Sequence, residues 1–538
     1  MHIKKSIIWF GVVILLLLSA CGSGGKSAVQ KEDLDNVNES GMPIVDEEIE
    51  LDFFAGQSPA SADDWNDVMI FNEYKEMTNM NINWKLIPDE GLEEKRNLAL
   101  SGGTLPDAFH NASIPVKDIF KYGKQGTLIS LNDLIDDYAP NLQALFEENP
   151  EIGKALTHPD GNIYSLPTLD DPEFLSLRIS AEPWFRQDWL DELGMDVPKT
   201  TDEFYDYLKA VKETDLIGDG EGKEVPFGAQ SIGQLLNWLR GSYGIGNRGV
   251  SSGYLDKDPN EDKVRFFPIT DEYKEMLEYV HKLFDEGLIE QNIFSLEHDQ
   301  FFANGADGVY GSTYVQDPSQ LFSGEHKDDY TAGVALEGPH GDKAFSYIRH
   351  PVVIPGAFAI TKDNAHPAAT MRWIDHFYSD EGMELFMMGI EGETYEITED
   401  GDYEYVEDIR DNPDGLNLDQ AISRYLTWPG GGYPGIVKEA FFKGAEGSER
   451  SIEAAEKIED DLIDDVWPAF TYTDDESKKL NAFGSDIEKY VGEMQDKFIS
   501  GDKSFEEWDD YVETIEGMNL EEYLDIQQAA YERYQEVD

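Results

Sequence analysis

The chain of 538 residues has one cysteine, Cys21. A single thiol excludes disulfides within the chain and cysteine-based metal sites, both of which need partners. Basic residues are also scarce: 42 Lys and Arg against 110 Asp and Glu give a formal net charge of −68. Nucleic acid is thereby excluded as a partner, because affinity for it rests on cations that neutralise phosphates. No HExxH appears, and "GSTYVQ" at 311–316 does not continue as a G-x-S-x-G nucleophile elbow. What the chain does have is a core: 40% hydrophobic and 12% aromatic residues. The acids then read as a solvated surface that favours solubility. The length exceeds one ordinary core and predicts two domains or lobes.

The start of the chain carries a separate signal. Lys4 and Lys5 precede an apolar run from Ile7 to Leu18, broken only by Gly11. The run is shorter than the about 20 residues of a spanning helix and has the order of a secretory signal peptide. Leu18-Ser19-Ala20-Cys21 resembles the lipobox of bacterial lipoproteins, which implies removal of residues 1–20 and lipidation of Cys21. A phosphate-binding loop is excluded, because Gly25-Lys26-Ser27 would need glycine where Ala20 stands. Residues 21–47 are rich in small, polar and acidic residues and read as a flexible tether.

Folded sequence is expected from about residue 48. "EIELDFFAG" and "NINWKLIP" read as strands, and the stretches from Trp65 and from Gly91 to Ser101 as helices. Strand and helix alternating at this spacing predict an α/β fold with mostly parallel strands. Further on, Phe204, Tyr207, Leu208 and Val211 follow helical spacing behind a Thr200/Glu203 capping box. Tyr273, Met276, Leu277, Val280, Leu283 and Phe284 repeat the pattern, and Ser504 with Glu507 caps another helix. The chain closes with the amphipathic "LEEYLDIQQAAYERYQ".

Several aromatic residues stand outside such periodic stretches: Trp184 after Pro183, Trp238 and Tyr243 flanking Arg240, Trp428 and Tyr433 in "TWPGGGYPG", and Trp467 before Pro468. Loop aromatics are a stronger functional hint than core ones, and sugars are bound by rings against their C–H faces. Trp428 is the leading candidate. Each of these rings has packing as its alternative reading.

Five segments in order behind the lipobox carry a resemblance: "LALSGGTLPDAF", "DGNIYSLP", "FRQDWLDELGMDVPKTTDEFYDYLKAVKETD", "AFAITKDNAHPAATMRWIDHFYSDEGMELFMMGIEGETYEI" and "KFISGDKSFEEWDDYVETIEGMNLEEYLDIQQAAYERY". The chain resembles the large lipoprotein branch of the family 1 extracellular solute-binding proteins, receptors of carbohydrate ABC importers. The resemblance implies a two-lobed α/β fold of the type II periplasmic-binding-protein kind, with the ligand cleft between lobes. It places residues 48–168 and about 356–425 in lobe 1, and 169–355 and about 426–538 in lobe 2, with "YSLPT" and "GAFAI" as crossing strands. It implies a monomer on the extracellular face of the membrane, no enzyme, with an oligosaccharide as ligand and a permease with a separate ATPase as partners. It also points to Arg186 and Asp188 for the ligand. Relatives carry an EF-hand-like calcium loop. Here Asp215, Asp219, Glu221 and Glu224 hold ligand positions, while Ile217 and Lys223 replace two others. Calcium is expected to be weak or absent, and no other cofactor is expected. The rival classes are a secreted glycoside hydrolase, which needs two spaced carboxylates, and a polysaccharide-binding surface lipoprotein without a transporter.

Overall fold

The computed structural model describes residues 34–218, 220, 222–427 and 433–537. Two main sheets are built from β1 (Ile49–Gln57), β2 (Met80–Pro88), β3 (Ala108–His110), β4 (Leu166–Asp170), β5 (Glu182–Arg186), β6 (Val225–Gly228), β7 (Tyr310–Val315), β8 (Tyr330–Ala332), β9 (Val352–Ile360) and β10 (Gly435–Val437). The first has the order β10-β4-β9-β3-β1-β2, the second β8-β5-β7-β6. In the first, β9 runs antiparallel to β3 and β4, while β1 pairs in parallel with β2 and β3, and β10 with β4. In the second, β5 is antiparallel to β7 and β8, and β6 is parallel to β7.

Each sheet has its own apolar core. The first cluster takes residues from Ile44 to Leu177 and again from Val352 to Phe442. The second takes Ile179 to Phe345 and Ala455 to Tyr531. The chain therefore passes between lobes three times, in segments 171–181, 346–351 and 443–454. Two expected boundaries change. The last return lies beyond Phe442, not near 426, because β10 pairs with β4 and Phe441 and Phe442 fill the first core. The stretch 34–47 is not a free tether either: Ile44 and Val45 are buried, and Asn79 Nδ2 donates to the carbonyl of Val45 at 3.0 Å.

Local signals explain the elements. The helix Thr201–Glu213 buries Thr201, Phe204, Tyr207, Leu208 and Val211 on one stripe. Thr200 Oγ1 accepts the Glu203 N–H at 3.1 Å, but the Glu203 carboxylate takes the N–H of Lys199, so the reciprocal half of the box is shifted by one residue. The box at Ser504 and Glu507 is complete. β9 slips register against β4 around Gly356, where a Cβ would come within 2.1 Å of the Ile114 carbonyl oxygen. Only glycine lets the loop after β3 lie so close.

Candidate functional site

The three crossing segments are tied to one another. Arg349 donates its backbone N–H to the Arg178 carbonyl at 3.0 Å, and Arg178 Nε returns a bond to the Arg349 carbonyl at 3.2 Å. Arg349 Nη2 also reaches the Leu177 carbonyl at 2.7 Å and Asp170 Oδ2 at 3.1 Å. Ser176 Oγ donates to the Glu446 carbonyl at 2.8 Å. Burial raises Asp170 to about 6, against the pull of Arg349 and Arg178. Burial lowers His350 to about 3; its Nδ1 accepts the Val352 N–H at 3.1 Å.

Beside this floor lies a cavity of about 410 Å³ with walls from both lobes, within the range of ligand pockets at domain interfaces. The first lobe contributes Pro115 at the end of the loop after β3, with Val116 and Lys117 of the helix Val116–Lys124 that follows it. That loop is held rigidly: Arg96 Nη1 donates to the carbonyls of Ala112 and Ser113, both at 2.9 Å, and Asn111 Nδ2 to that of Gly56 at 3.1 Å. The second lobe contributes Ser251–Gly253, hung on the second crossing by Val250 N–H to the Ile348 carbonyl at 3.1 Å and His350 N–H to Ser251 Oγ at 3.2 Å. Its far wall is Phe470, Tyr472, Asn481, Glu488, Tyr523 and Gln527. Tyr472 donates its hydroxyl to Gln527 Oε1 at 2.7 Å and Tyr523 to Glu488 Oε1 at 3.2 Å. Lys117 and Glu488 are the charged residues of the lining. Rings, amides and hydroxyls with nearly balanced charge suit a neutral polyhydroxyl ligand.

The residues singled out from sequence are not gathered here. Trp184 lies in β5 with Nε1–H donating to the Val315 carbonyl at 3.0 Å, its ring under the Arg450 guanidinium. Trp238 is buried against Phe204 and donates to the Val334 carbonyl at 3.2 Å. Tyr243 and Trp467 are core residues. Arg240 stacks over Phe267, and burial lowers its pKa. Arg248 pairs with Asp465 at 3.2 Å over the Trp467 ring. Arg186 is paired with Asp188 and donates to the Gly308 carbonyl at 2.8 Å; both stand at the end of β5 remote from the crossings. These side chains serve packing in this structure, because strand β5 and the helix Ile232–Leu239 are buried on more than one face. Tyr433 is half-buried beside Asp170, Glu446 and Arg349, and burial pushes its phenol up. Trp428, Cys21, Asp219 and Glu221 lie outside the described residues.

Sequence reading missed Tyr472, Tyr523 and Gln527. Gln527 is 3% exposed on the buried stripe of the helix Leu520–Glu536; an amide in a stripe of apolar residues was the available signal. It also passed over Gly249-Val250-Ser251-Ser252-Gly253, which has the G-x-S-x-G spacing. The stretch follows turns and leads into the short strand Leu255–Lys257, not from strand to helix, so it is not a nucleophile elbow.

In the acidic loop, Asp215 accepts the N–H groups of Gly218 at 2.9 Å and Gly220 at 3.1 Å, and Glu224 that of Ile217 at 3.0 Å. Ca²⁺ takes six to eight oxygens. Among the described residues no group of three or more candidate metal ligands is assembled.

Known proteins place the fold. The chain is 28% identical over 97% of its length to a fructooligosaccharide ABC transporter substrate-binding protein, FusA, of Streptococcus pneumoniae, covering 96% of that relative. It is 25% identical to the polygalacturonan/rhamnogalacturonan-binding protein YtcQ of Bacillus subtilis, over 86% of this chain and 87% of that one. The solved structure of S. pneumoniae FusA in complex with kestose superposes with a TM-score of 0.73 at 27% identity, covering 90% of this chain and 99% of that one. A FusA EF-hand mutant in complex with fructo-nystose, also solved, gives 0.72 at 26%, with the same coverage. The description "Bacterial extracellular solute-binding protein" matches residues 61–384, more than half of the chain. The chain thus belongs to the family of bacterial extracellular solute-binding proteins.

Proposed function

We propose that this chain is a lipid-anchored receptor on the extracellular face of the cell membrane, which captures a neutral oligosaccharide between its lobes and delivers it to an ABC importer. The cavity of about 410 Å³ between the lobes, with rings and amides on its far wall, carries the reading. Phe470, Tyr472 and Tyr523 offer ring surfaces, and Asn481, Gln527 and Ser251 bind hydroxyls. Trp428 is the proposed stacking ring, with Tyr433, beside Asp170 and Arg349, as a further candidate. Ligand biases the two lobes toward closure through contacts made to both, and a separate ATPase drives transport.

The relatives support this class. Of the two ligand chemistries in their names, fructooligosaccharide suits the lining better than polygalacturonan. A polyanion would call for clustered cations, and Arg186, Arg240 and Arg248 are each engaged elsewhere. Cys21 is the proposed lipid attachment, and the loop at 215–224 a structural turn with weak calcium affinity at most. The protein acts as a monomer and breaks no covalent bond.

The test is thermal unfolding of the full chain with neutral oligosaccharides, including kestose, and with galacturonate oligomers, while the same samples are assayed for cleavage. A ligand that binds only the folded chain raises Tm. A shift with an intact neutral glycan supports the receptor. Cleavage of the glycan favours the hydrolase, and a shift with galacturonates alone overturns the neutral assignment.

A further inference from the structure

Glu182 opens β5 directly after the first crossing segment. It is 1% exposed, and neither carboxylate oxygen has a hydrogen-bond partner. Few buried side-chain oxygens are left so, because each costs the full desolvation of the group. The charges acting on it are of the same sign: Glu446 on the third crossing segment and Asp317 just after β7. Tyr314 of β7, whose hydroxyl also lacks a partner, pairs in register with Pro183 and so lies on the other face of the sheet.

The cations nearby serve other groups. Asp317 accepts the Ser319 N–H, the Ser319 hydroxyl and the Ser448 hydroxyl, each at 2.8 Å, with Arg450 Nη1 at 3.7 Å. Arg450 also donates to the Tyr330 carbonyl at 2.5 Å and lies over the Trp184 ring. Arg349, on the second crossing, acts on Glu446. Glu182 therefore has burial, two carboxylates and no donor. Burial first, then Glu446 and Asp317, hold it well above the ordinary carboxylate range. The third crossing is in turn tied to the first by Ser176 Oγ on the Glu446 carbonyl at 2.8 Å.

We propose that Glu182 is a proton-linked element of the interlobe joint: it is neutral while β5 and the third crossing segment are packed as seen here, and loss of its proton parts them and opens the lobes. Ionised, the carboxylate gains by letting water in, and the segment that must move carries Glu446 from one lobe to the other. An acid held above its unfolded value binds its proton more tightly in the folded chain. Its stabilising contribution is full below the ordinary 4.5 and is lost as pH rises through the folded value, by up to about tenfold in the folding constant per pH unit.

The test uses the full chain without any sugar, so its result is independent of the ligand assignment. Tm and the radius of gyration by small-angle X-ray scattering are followed from about pH 5 to about pH 9. The wild type is expected to lose Tm and to expand as pH rises, and Glu182→Gln to flatten both curves. Glu446→Gln, which removes one like charge and keeps the shape, lowers the folded value of Glu182 and so shortens the pH range over which Tm is lost. Wild-type curves in Glu182→Gln overturn the proposal. So does a radius of gyration that stays constant with pH in the wild type, since the proton is then not coupled to the lobes. If Glu182→Gln does not fold, an unchanged pH range in Glu446→Gln overturns it in the same way.

Discussion

Arg186 and Asp188 form a two-pronged ion pair across two residues of chain, with Nε to Oδ1 at 2.7 Å and Nη2 to Oδ2 at 2.6 Å. The arginine side chain is 2% exposed and the aspartate 45%. Asp188→Ala leaves a buried guanidinium with the Gly308 carbonyl, His326 Nδ1 at 3.4 Å and a distant Asp329 at 3.8 Å. Exposure of the carboxylate screens the pair, so the expected loss is about 1–2 kcal/mol. Urea unfolding measures it. Because the pair lies at the end of β5 away from the crossings, sugar affinity is expected to stay within about twofold. A drop of more than about tenfold would return the ligand site to this pair.

Asn481 is exposed at the cavity wall. Asn481→Ala is expected to weaken oligosaccharide binding about 5- to 10-fold, one hydrogen bond's worth, with little change in the Tm of the ligand-free chain. Gln527→Ala removes the acceptor of the Tyr472 hydroxyl as well, so it lowers both affinity and stability. Calorimetric titration beside thermal unfolding separates the two effects.

His110 is sealed among Trp65, Trp84, Phe358 and Trp373, with no hydrogen-bond partner on either nitrogen. Burial lowers it from 6.5 to about 3. The unfolded chain then binds the proton first, so stability is lost as pH falls from about 6.5 toward 3. Asp170 and Asp375, both raised by burial to about 6, act in the opposite sense. The readout is therefore the difference between variants: between about pH 7 and pH 5, the wild type is expected to lose about 1–2 kcal/mol more than His110→Phe. Parallel curves would show that the imidazole is not neutral in the fold.

If Cys21 carries the proposed lipid anchor, Cys21→Ala moves the protein from the membrane fraction to the medium, because such anchoring rests on the attached acyl chains. Retention of the variant at the membrane would contradict the lipoprotein reading.

The elements with strong periodicity were legible. β1, β2 and the helix Thr201–Glu213 follow from alternation and from a stripe behind a cap. The second lobe boundary was not, because β10 is three residues long and has no period to read. Trp238 looked like a loop ring because glycines follow it, yet it packs with Leu235, Leu236 and Leu239 of a short helix. Trp184 belongs to a strand buried at every position, which erases the alternation that would have marked it. The cavity escaped for a different reason. Its walls come from residues as distant as Lys117, Ser251 and Gln527, and only the three crossings bring them together. The family resemblance reached the fold, but it could not tell loop rings from core rings.

The most direct measurement is the crystal structure of the full chain with a bound neutral oligosaccharide. The account predicts an intact glycan between Pro115–Lys117 and the wall of Tyr472, Tyr523 and Gln527. A glycan found outside that cavity, or cleaved within it, would contradict the account.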